Sequence, residues 1–137
     1  MIGAPRRVGL LVLAFSGAFV GCWALFAPHS FWADFPGLGH HWTQAAGPYD
    51  EHLVTDVGAA YLALTALALV AAVRGEQLGA RLAGIAWSVF SAPHLYFHVR
   101  HLDGLTSVDR IAELSSLTAT LLVALWLAVP VRAAARS

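Results

Sequence analysis

The 137-residue sequence has no lysine, a single cysteine and few charged residues of any kind. With only Cys22 available, no disulfide can form within the chain. Charged residues make up 12% of the sequence and the formal net charge is zero, so there is no basic patch of the kind that binds nucleic acid. These absences exclude a fold held by an internal disulfide and argue against a nucleic-acid partner.

Apolar residues dominate instead, at 58% of the sequence, with a mean hydropathy of +0.67. Four apolar stretches have the roughly 20 residues that an α-helix needs to cross about 30 Å of hydrocarbon. They cover residues 8–27, 53–73, 78–101 and 111–131. We therefore predict a single all-α transmembrane domain, an integral membrane four-helix antiparallel bundle in contact with lipid.

The arginines predict how this bundle is oriented, because basic residues are retained on the cytoplasmic side of a membrane. Only Arg100 and Arg110 fall on the side where the third and fourth spans connect, whereas the other six fall on the side of the chain ends and of the connection between the second and third spans. Those six are Arg6, Arg7, Arg74, Arg81, Arg132 and Arg136. Both termini are thus expected to be cytoplasmic in a multi-pass protein of a bacterial cytoplasmic membrane.

The connection between the first two spans, residues 28–50, is long and rich in proline, glycine and aromatic residues. Tryptophan commonly lies at headgroup depth, and a connection of this length is more often functional than merely connective. We expect it to lie in the outer interface and to cover a site formed by the helix ends. At its end Asp50 is a candidate N-cap, and Thr106 with Asp109 has the form of a capping box opening the fourth span.

All seven histidines fall on the predicted outer side of the membrane. They are His29, His40, His41, His52, His94, His98 and His101. On the third span, His94, His98 and His101 are spaced i, i+4, i+7 and so share one face of the helix. Ionisable groups inside a span normally pair with one another, line a cavity or bind an ion, so this clustering predicts a site.

Carboxylates on the neighbouring spans lie at a similar depth. On the second span His52 and Asp56 share a face by the i, i+4 rule, and on the fourth span Glu113 lies about one turn inside the helix. Imidazole and carboxylate together are the ligands that Zn, Fe and Cu take, and helix bundles build metal sites from such inward-facing residues. The sequence thus predicts a His/carboxylate metal site beneath the 28–50 connection.

The predicted metal ligands are His52, His94, His98 and His101, with Asp56 and Glu113 as catalytic residues. In this hypothesis Asp56 or Glu113 completes the ligand set, orients an imidazole or carries a proton. A haem held by His52 opposite His98 or His94 is the alternative cofactor. The corresponding function is a membrane oxidoreductase that acts on a lipophilic substrate through a metal reached from the outer side.

Two other functions stay open. A network of His and Asp hydrogen bonds would satisfy these groups without any ion, in a non-enzymatic membrane subunit or assembly partner. A small proton-coupled transporter is disfavoured, because four spans are few and no internal repeat is visible. The chain could also act as a homo-oligomer or within a larger membrane complex.

The acidic entry to the second span, Glu51, and the small and aliphatic run Val57 to Leu64 resemble the corresponding parts of small bacterial four-helix membrane proteins of the DoxX-like kind. The resemblance covers the span plan of most of the chain and implies the same four-helix membrane fold. It assigns no catalytic residue, and the stripe His94, His98 and His101 has no counterpart in it.

Overall fold

The computed structural model describes residues 1–130 and contains six helices with one two-stranded hairpin. The helices are α1 (Ala4–Phe26), α2 (Pro28–Asp34), α3 (Trp42–Ala46), α4 (Glu51–Arg74), α5 (Gln77–Arg100) and α6 (Ser107–Ala128). The strands are β1 (Pro36–Gly37) and β2 (His40–His41), which pair antiparallel. The predicted all-α class is confirmed, whereas Val131, Arg132 and Arg136, which entered the predictions, lie outside the described residues.

Four long helices, α1, α4, α5 and α6, occupy the positions of the four predicted spans, with ends that differ by a few residues. Within residues 1–130, three helices are long and apolar enough to cross a membrane, namely α1, α4 and α6. Helix α5 is equally long but carries more polar residues, including Ser88, Ser91, His94 and His98. Most of these polar side chains line the cavity described below.

Side-chain and turn signals in the sequence account for the helix ends. The Asp50 carboxylate accepts a hydrogen bond from the N–H of Leu53 at 3.0 Å, which makes it the N-cap of α4 as predicted. Thr106 caps α6 by accepting from the N–H of Asp109 at 3.2 Å. Gly75 ends α4 in the left-handed region, with φ of 66°, and lets the chain turn directly into α5.

The start of α1 lies beside the ends of two other long helices. The N–H of Ile2 donates to the carbonyl of Gly75 at 2.8 Å, next to the end of α4. The buried guanidinium of Arg6 donates to three carbonyls at the end of α6, where a helix leaves its last carbonyls without partners. Those carbonyls belong to Trp126, Leu127 and Val129.

Glycines bring the long helices together in two pairs, α1 with α4 and α5 with α6, which make the most extensive contacts in the chain. A Cβ added at Gly58 of α4 would lie 2.6 Å from the backbone nitrogen of Leu25 in α1. One added at Gly84 of α5 would lie 2.5 Å from that of Ala128 at the end of α6. Only glycine permits these backbone approaches. Trp87, fully buried, links the pairs by donating from Nε1 to the carbonyl of Leu64 at 3.2 Å.

The segment of residues 28–50, here named the roof, is more ordered than an irregular connection. It contains α2, the β1–β2 hairpin and α3, and the N–H of Trp42 donates to the carbonyl of Phe35 at 2.8 Å. Three consecutive residues at the hairpin tip, Gly37, Leu38 and Gly39, have φ values of 98°, 58° and 83°. This tight reversal lets the roof fold back over the ends of the long helices.

Candidate ligand-binding site

A cavity of about 360 Å³ lies beneath the roof, and all four long helices contribute to its walls. Most of the wall is apolar, with six aromatic side chains. These are Phe19 of α1, Phe31, Phe35 and Trp42 of the roof, Tyr61 of α4 and Trp87 of α5. The aromatic rings pack against one another. The centroids of Phe31 and Phe35 are 4.7 Å apart, and those of Tyr61 and Trp87 are 6.0 Å apart in an edge-on arrangement. The predicted cover over the helix ends is therefore present.

A buried histidine–carboxylate pair forms the polar part of the cavity. Nδ1 of His98 in α5 donates to Oε1 of Glu113 in α6 over 2.8 Å, and the two side chains are only 13% and 4% exposed. The second carboxylate oxygen, Oε2 of Glu113, is buried and has no hydrogen-bond partner within residues 1–130. A buried acceptor without a partner is costly, so a donor brought to this oxygen would be bound favourably.

His94 lies next to this pair, one helical turn before His98. The two imidazole centroids are 4.7 Å apart, and His94 stacks on Phe90 at 5.3 Å. Its Nε2 lies 3.5 Å from the hydroxyl of Tyr61 in α4. Three of the long helices thus contribute to one polar group, consisting of His94, His98, Glu113 and the Tyr61 hydroxyl.

A second carboxylate, Asp109, attaches the roof to the start of α6. Its Oδ1 accepts from Nε1 of Trp42 at 2.9 Å and from Nδ1 of His40 at 2.6 Å, while Oδ2 accepts from the Thr106 hydroxyl at 2.6 Å. Half of the predicted capping box is present, because Thr106 accepts from the N–H of Asp109, but the Asp109 carboxylate accepts from the Thr106 hydroxyl and holds the cover of the cavity in place. Trp42 lines the cavity itself, so this contact positions one of its walls.

The structure separates the remaining predicted site residues from this group. His52 and Asp56 form a pair of their own at 3.3 Å, with side chains 89% and 64% exposed on the outside of α4. His101 is also exposed, where its Nδ1 donates to the carbonyl of Phe97 at 2.8 Å.

The predicted ligand set that joined His52 to His94 and His98 is therefore not assembled. In the part of the chain that the structure describes, no three or more His, Cys, Asp or Glu residues are grouped so that they could hold a metal ion. The physical reason is that equal depth along two helices does not fix the direction in which each helix turns its side chains. The His52 and Asp56 face of α4 is turned outward, whereas Tyr61 of the same helix faces the cavity.

Two polar stripes in the sequence indicate which faces of α5 and α6 line the cavity, and the metal hypothesis did not use them. On α5, Ser91, His94 and His98 are spaced i, i+3, i+7, and all three line the cavity. On α6 the same spacing places the cavity-lining Glu113, Ser116 and Thr120 on one face. The predicted metal site used the histidines as ligands and left the hydroxyls of Ser116 and Thr120 unused. Together, the two stripes indicate that α5 and α6 contribute the polar side of the cavity.

The chain matches no family model, no curated protein and no solved structure. The resemblance to DoxX-like proteins therefore stays a prediction.

Proposed function

We propose that the chain is a multi-pass membrane protein that binds a small, largely apolar molecule in the cavity beneath the roof. The polar end of that molecule would meet the buried pair of His98 and Glu113. The observation that carries this proposal is the combination of an aromatic wall with one buried carboxylate oxygen, Oε2 of Glu113, that lacks a partner among residues 1–130.

The surface of the chain supports the membrane part of the proposal. Large apolar side chains are exposed on the outer faces of the long helices, among them Phe15, Phe26 and Val73 at 76–81% exposure. An apolar surface of this extent suits hydrocarbon rather than water. In the arrangement we propose, the fourth helix, α5, completes an antiparallel four-helix bundle. Arginine at the opposite end from the cavity, as at Arg7 and Arg74, favours cytoplasmic termini.

The size and chemistry of the cavity support the ligand part. Its volume of about 360 Å³ is near the lower end of the roughly 300–1,000 Å³ typical of small-molecule sites. Such sites combine mostly apolar walls with a few polar groups that orient the ligand, as the aromatic walls and the His98–Glu113 pair do here.

Retention of this pair inside the helices is itself a reason to expect a function. A buried pair of this kind gives little net stability compared with apolar residues of the same volume. A carboxylate within a membrane helix is therefore expected to serve binding or proton exchange. The predicted metal-dependent oxidoreductase and the predicted transporter stay predictions.

The proposal is tested by filling the cavity. Ser116 lines the cavity and Ser115, the preceding residue, lies in a shallow depression on the outer face of α6. Ser116→Phe would occupy the ligand space, while Ser115→Phe adds the same side chain outside it. Thermal unfolding of the detergent-purified protein is followed with increasing naphthalene.

Naphthalene at about ten times its Kd should raise the Tm of the wild type and of Ser115→Phe by on the order of 5 °C. It should leave the Tm of Ser116→Phe unchanged. An equal response in all three proteins would mean that naphthalene acts through the detergent or the outer surface. The cavity would then have no binding role, and the polar cluster would be structural, as in the assembly-partner alternative.

A further inference from the structure

Resting on the proposed function, we infer that the ligand is a hydrogen-bond donor: an apolar phenol or aromatic alcohol whose O–H is donated to Oε2 of Glu113. The inference comes from an account of the donors and acceptors that the cavity wall offers. Both indole N–H groups and four of the wall hydroxyls donate within the protein, and the Tyr61 hydroxyl contacts Nε2 of His94 at 3.5 Å, whereas Oε2 of Glu113 has no partner among the described residues.

Both indole N–H groups in the wall are committed to protein acceptors. Nε1 of Trp42 donates to Asp109 at 2.9 Å, and Nε1 of Trp87 donates to the carbonyl of Leu64 at 3.2 Å. A tryptophan has no other polar hydrogen. These two side chains therefore present only ring surface to a ligand.

The wall hydroxyls of α1, α6 and the roof donate to backbone carbonyls. Those of Ser16, Ser116 and Thr120 do so within their own helices at 3.0, 2.8 and 2.9 Å. Thr43 donates to the carbonyl of Phe31 at 3.0 Å. A hydroxyl that has donated its single hydrogen retains only lone pairs, so each of these groups adds an acceptor to the cavity.

The buried pair of His98 and Glu113 adds a further hydrogen-bond acceptor to the cavity wall. The Nδ1 hydrogen of His98 is given to Oε1 of Glu113, and Oε2 of this carboxylate has no partner within the described chain. An ionised carboxylate oxygen can only accept. An ether or a carbonyl oxygen placed against it would bring two sets of lone pairs together, while a hydroxyl would form a charge-assisted hydrogen bond.

Ser91 also lines the cavity, and it differs from the Ser16, Ser116, Thr120 and Thr43 hydroxyls because it makes no hydrogen bond within residues 1–130. It can donate as well as accept. It therefore supplies the natural control for the assignment to Glu113.

The test compares three probes of one ring system in the detergent-purified full chain, with Kd taken from the dependence of Tm on probe concentration. 2-Naphthol carries the donor, 2-methoxynaphthalene carries the oxygen without the donor, and naphthalene lacks both. The wild type should bind 2-naphthol at least about tenfold more tightly than either of the others. Since one comparison probe is smaller and the other larger, size alone cannot produce this order.

Two variants assign the donor's partner. Glu113→Gln replaces one acceptor oxygen by an amide donor at nearly equal size, and should abolish or reverse the preference for 2-naphthol. Ser91→Ala should keep it. Loss of the preference in Ser91→Ala with its retention in Glu113→Gln would overturn the assignment to Glu113.

Comparing the three probes in the wild type and in Ser116→Phe separates the donor inference from the proposed function. If 2-methoxynaphthalene binds the wild type as tightly as 2-naphthol, and both lose affinity in Ser116→Phe, the donor inference is wrong while the proposed function stands. If none of the three probes stabilises the wild type more than Ser116→Phe, the proposed function fails and the inference fails with it.

Discussion

Nδ1 of His98 and Oε1 of Glu113 lie 2.8 Å apart in a buried contact that joins α5 to α6. Single and double substitutions at this contact are expected to change stability differently. Removing one partner leaves the other buried without its hydrogen bond, which is strongly destabilising, whereas replacing both by apolar residues is often neutral. Substituting both residues should therefore remove the groups that recognise a ligand while keeping most of the stability.

We expect His98→Leu to lower the free energy of unfolding by about 3 kcal/mol, because it leaves the Glu113 carboxylate uncompensated in the protein interior. The double variant His98→Leu with Glu113→Leu should recover most of this loss. Unfolding in a denaturing detergent measures both. A double variant as unstable as the single one would contradict this expectation. It would show that the side chains of the pair are needed for packing, beyond satisfying each other's hydrogen bond.

The roof should loosen when its attachment to α6 is removed. Trp42→Phe deletes one donor to Asp109, and Asp109→Ala deletes the acceptor shared by Trp42, His40 and Thr106. A hydrogen bond to a charged group contributes about 1.5–3 kcal/mol, so amide hydrogen exchange over residues 40–46 should become at least about tenfold faster. Asp103→Ala, which alters an exposed carboxylate nearby, should leave exchange unchanged. Equal rates in Asp103→Ala and Asp109→Ala would contradict the anchoring role.

Gly58→Ala should separate α1 from α4. The added Cβ would meet the backbone nitrogen of Leu25 at 2.6 Å, and backbone cannot move aside as a side chain can. Overpacking of this kind typically costs about 1–3 kcal/mol. Gly79→Ala is the matched helical control, because its Cβ would find its nearest neighbour at 3.6 Å. That variant should be as stable as the wild type or gain up to about 1 kcal/mol in helix propensity.

Arg6→Gln should destabilise the contact between the start of α1 and the end of α6 by about 2 kcal/mol, since charged donors to unpaired carbonyls are lost. The guanidinium is buried and donates over 2.7–3.2 Å. Arg7→Gln removes the same charge from an exposed neighbour and should have little effect. Comparable losses in the two variants would indicate a general effect of net charge rather than this contact.

Metal content should not depend on His52. Its imidazole is 89% exposed and pairs only with Asp56 of its own helix among the residues described. Elemental analysis after incubation with Zn²⁺ should give the same metal per chain for the wild type, His52→Ala and His98→Ala. A near-stoichiometric metal lost in both variants would revive the ligand set that joins α4 to α5.

The sequence was sufficient for the helices and their caps because these are local properties. Asp50 and Thr106 lie within three residues of the N–H groups that they cap, and the apolar stretches of the sequence overlap the four long helices. The site depended on non-local information. Periodicity gives the angle between His94 and His98 on one helix but not the direction of His52 on another.

The link from Trp42 to Asp109 spans 67 positions in the sequence. No local pattern predicts that a capping carboxylate is shared with a segment so far away. What the sequence did contain, and what was not used, is the hydroxyl residues that continue the His94 and Glu113 faces along α5 and α6.

The glycine-mediated pairs, α1 with α4 and α5 with α6, have a kinetic consequence. The roof is continuous with α1 and α4, and Asp109 bonds it to α6. It therefore connects one helix pair to the other above the cavity. On the proposed function, we expect these bonds to slow the departure of a bound ligand, while the walls beneath the roof determine which ligand binds.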